Sequence, residues 1–159
     1  SHLYRIPATA VRFFTVYGPW GRPDMAYFSF TQRILKGETI KVFGHGKPKR
    51  DFTYIDDIIS GLEALINLPP RDTDIPHRIL NIGNHTPVSV VDFINTLEKV
   101  IGRKAKKEYL DMQPGDVMTT FADVGRIKAL TGFQPNTSLE EGLGKFWEWY
   151  GKYYRKVEP

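Results

Sequence analysis

One arginine and a pair of adjacent acids stand close together in the segment Arg50-Asp51-Phe52-Thr53-Tyr54-Ile55-Asp56-Asp57. The guanidinium of Arg50 is a planar fork of N–H donors that suits a phosphate group. The acids have an ordinary explanation, because the apolar residues after them have helical spacing: Asp56 is a good N-cap, and Asp57 suits the first turn beside the helix dipole. Arg50 has no such explanation, so we predict that it contacts an anionic ligand.

Two other loops carry polar groups near the ends of predicted strands. The first places the hydroxyl of Thr15, the ring of Tyr17 and the guanidinium of Arg22 just past a strand, where α/β sheets bind ligands. The second is Gln113-Pro114-Gly115-Asp116. Each feature alone has an ordinary interpretation, since Pro-Gly is a turn sequence, Arg22 suits a surface and Tyr17 suits a core. The three loops together hold the possible chemistry of the chain.

Length and composition indicate a globular protein. The chain has 159 residues, of which 41% are hydrophobic and 25% charged, so it fits one domain or one lobe of a larger one. Its 22 basic and 18 acidic residues give a net charge of +4, which suits anionic small molecules as well as nucleic acid. The basic segments at 47–50 and 103–107 are short and lie beside turns, so we expect no nucleic-acid partner.

Several chemistries are excluded or disfavoured. The chain has no cysteine, so it has no disulfide, no thiol catalysis and no thiolate metal site. Its four histidines are scattered without metal-ligand spacing, and we expect no metal. No apolar run approaches the length of a spanning helix and no secretory signal is visible, so we expect no membrane and a cytoplasmic setting.

The elements that must position these loops alternate between strand and helix, which indicates an α/β fold. Strands are predicted at residues 10–17, 40–43, 78–82 and 105–110, with a turn at 44–47. Helices are predicted at 26–36, from Asp56 towards Pro69-Pro70, from the cap Ser89 to Ile101, at 123–131, and from the cap Ser138 onwards. A polar loop is predicted at 71–77. The aromatic residues of the last helix are expected to pack against the fold rather than form a membrane or partner surface.

From residue 3 to about 154 the chain resembles the C-terminal half of extended short-chain dehydrogenase/reductase enzymes that act on nucleotide sugars. Five blocks carry the resemblance by their order and spacing: residues 1–4, 12–25, 50–57, 81–84 and 113–117. The block Trp20-Gly21-Arg22-Pro23-Asp24-Met25 makes it closest to the UDP-glucuronate 4-epimerases. The resemblance implies the last strands of a Rossmann-type sheet, at 10–17 and 78–82, followed by a small α/β substrate-binding lobe.

The resemblance also implies substrate contacts. Thr15 stands where relatives contact the sugar, and Arg22 where the uronate epimerases place a cation for the hexuronate carboxylate. Arg50 corresponds to a diphosphate contact and Asp116 to a contact with the ribose hydroxyls. Gln113 replaces an arginine found in many galactose-type epimerases, so one phosphate contact would be weaker or made differently. The uracil would be held partly through the backbone of Lys41, Val42 and Phe43.

The implied reaction uses NAD to oxidise the sugar C4 hydroxyl, after which the 4-keto intermediate rotates and the hydride returns to the other face. The resemblance places Tyr17, Gly18 and Pro19 near the nicotinamide. The chain has no Gly-x-Gly-x-x-Gly turn and no Tyr-x-x-x-Lys pair, so we expect no catalytic residue in it. Residues 1–159 are therefore expected to be a single C-terminal substrate-binding region that lacks the NAD-binding part and is inactive alone.

Three alternatives stay open at this point. The parent could be another nucleotide-sugar epimerase, dehydratase or decarboxylase. The chain could be a binding module that retains UDP affinity without chemistry. It could also self-associate, because strands without their sheet partners expose backbone edges and apolar faces.

Overall fold

Pairs of strands from distant parts of the sequence form the framework of the computed structural model, which describes residues 1–71 and 74–154. The strands are β1 (Ala8–Phe13), β2 (Val16–Tyr17), β3 (Thr39–Phe43), β4 (Lys49–Arg50), β5 (Thr53–Tyr54), β6 (His77–Ile82), β7 (Val88–Ser89) and β8 (Lys106–Leu110). The helices are α1 (Ala26–Lys36), α2 (Ile55–Ile66), α3 (Val90–Ile101), α4 (Gly125–Thr131) and α5 (Leu139–Tyr153). Strand β1 pairs with β6, β2 with β5 and β3 with β8, all parallel, while β4 and β7 are antiparallel. The α/β prediction is confirmed.

The single strand predicted at 10–17 is wrong, because the chain changes partner in the middle of it. The ladder of β1 with β6 ends where the N–H of Phe14 donates to the carbonyl of Ile82 at 3.3 Å. The next hydrogen bond runs elsewhere: the N–H of Thr53 donates to the carbonyl of Thr15 at 3.2 Å, and β2 pairs with β5. Thr15 therefore lies at the junction between two strand pairs.

The prediction that Asp56 caps α2 is also wrong. The N-cap is Tyr54, which has an extended backbone and no side-chain capping bond. Both acids lie in the first turn, where their charge suits the helix dipole. Asp57 has a further role, because its buried carboxylate accepts hydrogen bonds, at 3.3 and 3.2 Å, from the backbone N–H groups of Asn136 and Thr137. It ties the start of α2 to the segment before α5.

Two other helix starts are confirmed with their caps. The hydroxyl of Ser89 accepts a hydrogen bond from the N–H of Asp92 at 3.1 Å, and that of Ser138 accepts one from Glu141 at 3.2 Å. Helix α1 ends as predicted at Lys36, followed by Gly37 in the left-handed conformation, with φ 69°.

The remaining boundaries move by one or two residues. β3 and β6 each begin one residue before the predicted strand. β8 begins one residue later, because the N–H of Ala105 donates to Glu98 Oε1 at 3.0 Å. α4 begins two residues later, where Asp123 Oδ1 accepts the N–H of Gly125 at 2.9 Å. The predicted loop at 71–77 includes residues 72 and 73, which lie outside the described residues.

An aromatic core supports both of the cavities described below. Phe52 stacks on Phe93 with ring centroids 4.4 Å apart, and the ring of Tyr17 meets Phe52 edge-on at 6.3 Å. Helix α5 contributes Phe146 and Tyr150, both buried. Its residues Trp147, Trp149 and Tyr154 pack against this core as predicted, whereas Tyr153 is 49% exposed. Burial of one such side chain contributes about 1.5 to 3 kcal/mol. A second core joins α2, α4 and β6 through Ile58, Leu80, Ile82 and Ile127.

Candidate ligand-binding site

Arg50 lies on the wall of a cavity of about 260 Å³, here called the Arg50 cavity. It brings together five of the predicted site residues: Thr15, Lys41, Phe43, Arg50 and Asp116. The other lining residues are nearly all apolar or aromatic: Ala26, Phe30, Pro48, Phe52, Val90 and Phe93. A few polar groups set in an apolar wall are typical of sites for small molecules.

The guanidinium of Arg50 is held by main-chain carbonyls. Nη1 donates to the carbonyl of Val117 at 2.8 Å and to that of Lys49 at 3.0 Å. Nη2 lies 4.0 Å from Asp116 Oδ1, which is within ion-pair range but beyond ordinary hydrogen-bond distance. Only 22% of the Arg50 side chain is exposed. The cation is therefore oriented without a tight carboxylate contact to neutralise it, which suits an anion contact.

Strand β3 divides its predicted site residues between two faces. Ile40 and Val42 are buried in the aromatic core, whereas Lys41 and Phe43 line the Arg50 cavity. This alternation follows from the pleat of a strand. The side chain of Val42 therefore faces away from the cavity, and the contribution to the site predicted for this residue is one of backbone. Within the described part of the chain, β3 pairs only with β8, so strand pairing uses one of its edges.

A second cavity of about 1030 Å³, here called the Arg22 cavity, adjoins the first because Thr15 lines both. Predicted site residues on its wall are Thr15, Tyr17, Gly18, Pro19 and Arg22. The remaining wall is formed by Phe13, Val16, Trp20, Gly21, Met25, Tyr27, Tyr54, Ile55 and Asp56. Thr15, where the chain changes strand partner, therefore lies between the Arg50 cavity and the Arg22 cavity.

Arg22 is far more exposed than Arg50. Its Nη2 pairs with Asp24 Oδ2 at 3.1 Å, and the two side chains are 75% and 69% exposed. Nη2 also lies 3.7 Å from the sulfur of Met25. An exposed ion pair of this kind contributes at most about 1 kcal/mol, so a ligand carboxylate could replace Asp24 at little cost.

Tyr17 and Gly18 offer mainly backbone to the Arg22 cavity. The ring of Tyr17 is buried, and its hydroxyl donates to the carbonyl of Ser138 at 3.3 Å. Burial, helped by the nearby charge of Asp57, raises the pKa of the Tyr17 phenol, so this group stays neutral and does not act as a base. Gly18 has φ 142°, and a Cβ there would lie 2.6 Å from the side chain of Ile55, so only glycine fits.

Asp51 is a positioning residue that the sequence reasoning missed. It is completely buried, and its carboxylate accepts three backbone hydrogen bonds at 2.8 to 3.1 Å, from the N–H groups of Asn84, His85 and Ala122. Its own N–H donates to the hydroxyl of Thr120 at 3.2 Å. Because Asp51 follows Arg50 directly, these bonds fix the backbone that carries the arginine. The position of Asp51 inside the segment 50–57 was the only sign of its importance in the sequence. The distant N–H groups that it accepts could not be identified from sequence.

Gln113 is exposed and lines neither cavity, although its carbonyl accepts the N–H of Asp116 at 3.2 Å and so closes the turn that carries Asp116. Among the residues that the structure describes, no group of three or more histidines and acids could hold a metal ion. In the same residues, no helix has both the length and the apolar character needed to cross a membrane.

Glu98 anchors the strand that leads to the Asp116 loop. Its carboxylate accepts hydrogen bonds from Lys104 at 2.7 Å, from Lys107, and from the N–H of Ala105. Burial alone would raise the pKa of this acid, but the three hydrogen bonds outweigh burial and lower the pKa to about 2. The ionised carboxylate therefore joins α3 to β8.

The α/β fold with its parallel strand pairs is of the short-chain dehydrogenase/reductase type. Residues 1–83 match the model of the NAD dependent epimerase/dehydratase family, and the chain belongs to that family.

The curated relatives show which epimerases the chain resembles. The chain is 46% identical to a probable UDP-glucuronate 4-epimerase of Rhizobium meliloti, over 99% of this chain and 50% of the relative. It is 45% identical to UDP-glucuronate 4-epimerase 4 of Arabidopsis thaliana, over 97% of this chain and 38% of that relative. The chain thus spans about half the length, or less, of the curated relatives it matches.

Solved structures agree with the fold. The UDP-glucuronic acid 4-epimerase of Bacillus cereus, in complex with UDP-glucuronic acid and NAD, superposes with a TM-score of 0.84 at 36% identity, covering 96% of this chain and 48% of that one. The UDP-glucose 4-epimerase of Thermotoga maritima, solved with UDP-glucose, gives a TM-score of 0.79 at 30% identity over 91% and 46% of the two chains. The fold is therefore that of the extended short-chain dehydrogenase/reductase epimerases, as predicted.

Proposed function

We propose that this chain supplies the UDP-sugar-binding part of an NAD-dependent UDP-glucuronate 4-epimerase. The observation that carries the proposal is the pair of adjoining cavities, which share Thr15 and place Arg50 in one and Arg22 in the other. One cation suits a diphosphate and the other suits a carboxylate. UDP-glucuronate carries both groups: a diphosphate that joins the uridine to the sugar, and a carboxylate on the sugar itself.

In this proposal the Arg50 cavity takes the nucleotide. Arg50 binds the diphosphate, and Asp116, close to it, accepts hydrogen bonds from the ribose hydroxyls. The uracil lies against the apolar wall near β3, where Phe43 offers its ring and the strand offers backbone groups. The carbonyls that hold Arg50 are in place without ligand, so little ordering is needed on binding.

The Arg22 cavity takes the sugar in the same proposal. Thr15 contacts the pyranose at the junction of the two cavities, and Arg22 exchanges Asp24 for the hexuronate carboxylate. A forked, charge-assisted contact favours a uronate over a neutral sugar.

In this proposal the chain contacts only the nicotinamide end of NAD. The backbone of Tyr17, Gly18 and Pro19 borders a cavity roomy enough for a flat nicotinamide ring, and glycine is required at position 18. The turn that would take the pyrophosphate is not among the residues of this sequence. When bound, NAD supplies the hydride acceptor and donor for C4. The residues of this chain bind and orient the sugar, and the Tyr-x-x-x-Lys pair that moves the proton must come from outside it.

Two measurements test the proposal. Calorimetric titration with UDP should show binding that Arg50→Ala weakens by roughly tenfold to a hundredfold and that the exposed control Arg126→Ala leaves unchanged. Incubation with NAD and UDP-glucuronate should give no UDP-galacturonate. Absence of UDP binding by the wild-type chain would refute the binding role, and measurable product would refute the claim that the chain is inactive alone.

A second candidate is a part of an epimerase for a neutral sugar such as UDP-glucose. The observation in its favour is that Asp24 already pairs with Arg22, which reduces the positive charge in that cavity. Competition between UDP-glucuronate and UDP-glucose separates the two candidates, because only the first predicts a preference for the uronate.

A further inference from the structure

Trp20 has an unusual backbone conformation two residues before Arg22. Its φ is 63°, in the left-handed region that non-glycine residues rarely occupy. The side chain is 70% exposed, yet its ring meets two aromatic rings of α5: Tyr153, with centroids 4.5 Å apart at 69°, and Trp149, with centroids 5.3 Å apart. A strained residue held by specific neighbours is a recognised mark of a constrained functional loop.

The rings on α5 form a firm support. Trp149 lies 6.3 Å from Phe28 and 5.9 Å from Phe146, both of which are fully buried. Tyr153 in turn lies 5.5 Å from Trp149. Trp20 therefore rests on rings that continue directly into the aromatic core, rather than on a mobile surface.

The other side of the same loop is fixed by close packing. A Cβ added at Gly21 would lie 1.5 Å from the Tyr27 hydroxyl, so the loop backbone passes directly against α1 at this point. Between this contact and the α5 rings, Arg22 has little freedom in its backbone although its side chain is exposed. The loop is thus held from α1 and from α5 at consecutive residues.

We infer that Trp20 is a positioning residue for uronate selectivity: its contact with Trp149 and Tyr153 fixes the loop that presents Arg22 to the sugar carboxylate. This inference rests on the proposed function, since it requires that Arg22 meets that carboxylate. It gives the last turns of α5 a part in substrate choice, although α5 contributes no residue to the wall of either cavity.

The test uses Trp20→Asn, because asparagine tolerates the left-handed backbone. This change removes the ring that contacts α5 and also lines the Arg22 cavity. Tyr153→Ala weakens the same contact from α5 and leaves the loop sequence intact. Phe121→Asn is the matched control, since Phe121 is also exposed, at 51%, and meets a different ring, that of His85, at 4.5 Å. Trp20→Phe should restore part of the wild-type behaviour.

The first readout needs no ligand. Hydrogen exchange of the amides at residues 18–25 should quicken by about tenfold in Trp20→Asn and Tyr153→Ala, with the rest of the chain unchanged, and should not change in Phe121→Asn. The second readout is the ratio of affinities for UDP-glucuronate and UDP-glucose. This ratio should fall by about tenfold in the same two variants, while the affinity for UDP stays within about twofold.

The outcomes separate the inference from the proposed function. Unchanged exchange in Trp20→Asn would overturn the positioning role whether or not ligands bind. Faster exchange with an unchanged affinity ratio would overturn the role in selectivity. A wild-type chain that binds neither nucleotide sugar would refute the proposed function and the selectivity claim together, while exchange would still report whether the ring contact holds the loop.

Discussion

The two arginines differ in how the fold holds them. Arg50 is 22% exposed, is hydrogen-bonded to two carbonyls, and stands beside the buried anchor Asp51. Arg22 is 75% exposed and pairs with an exposed acid on the loop that joins β2 to α1. A side chain held by the fold, such as that of Arg50, suits a group that every substrate of the class shares. An exposed side chain on a fixed backbone, such as that of Arg22, suits the group that varies. Under the proposed function, affinity comes from the Arg50 cavity and selectivity from the Arg22 cavity.

The largest expected effect comes from removing the anchor of the rigid side. Asp51→Ala removes the acceptor of three backbone N–H groups, one buried and two partly buried, which should lower the free energy of unfolding by about 3 kcal/mol or more. Urea unfolding followed by circular dichroism measures this loss. Asp111→Ala is the control, because Asp111 is fully exposed and its solvent-screened pair with His45 should contribute little. A loss no greater than that of the control would show that Asp51 does not anchor the Arg50 segment.

A smaller effect is expected from acid titration of Glu98. Its pKa in the folded chain is about 2, below the ordinary 4.5, so the ionised carboxylate stabilises the fold fully above pH 4.5. That stabilisation, on the order of 3 kcal/mol, should be lost as the pH falls from 4.5 towards 2. Glu98→Gln should be less stable at neutral pH and lose less stability over this range. Parallel acid profiles for the two proteins would contradict the role of Glu98 in joining α3 to β8.

The sequence was sufficient to predict features that depend on local chemistry. The caps Ser89 and Ser138 could be predicted because a hydroxyl three residues before an acid is a local sequence signal. The grouping of Thr15, Arg50 and Asp116 was predicted from the resemblance. How the site residues contact a ligand, and whether the chain self-associates, stay predictions.

Features that depend on distant partners were missed. The break between β1 and β2 depends on a change of partner from β6 to β5, and the local sequence, rich in β-branched and aromatic residues, gives no sign of it. Asp57 was expected only to suit the first turn of α2, yet its carboxylate also accepts the backbone N–H groups of Asn136 and Thr137, about eighty positions away. Buried carboxylates often serve such remote donors, and spacing along the chain does not identify them.

The division of labour between the arginines is tested most directly by titrating Arg50→Ala and Arg22→Ala with both UDP and UDP-glucuronate. Loss of a charged hydrogen-bonding group costs about 1.5 to 3 kcal/mol, or roughly tenfold to a hundredfold in affinity. We predict that Arg50→Ala weakens both ligands to this extent. Arg22→Ala should weaken UDP-glucuronate by about tenfold and leave UDP within about twofold. Equal weakening of UDP and UDP-glucuronate by Arg22→Ala, or unchanged UDP binding in Arg50→Ala, would contradict the account.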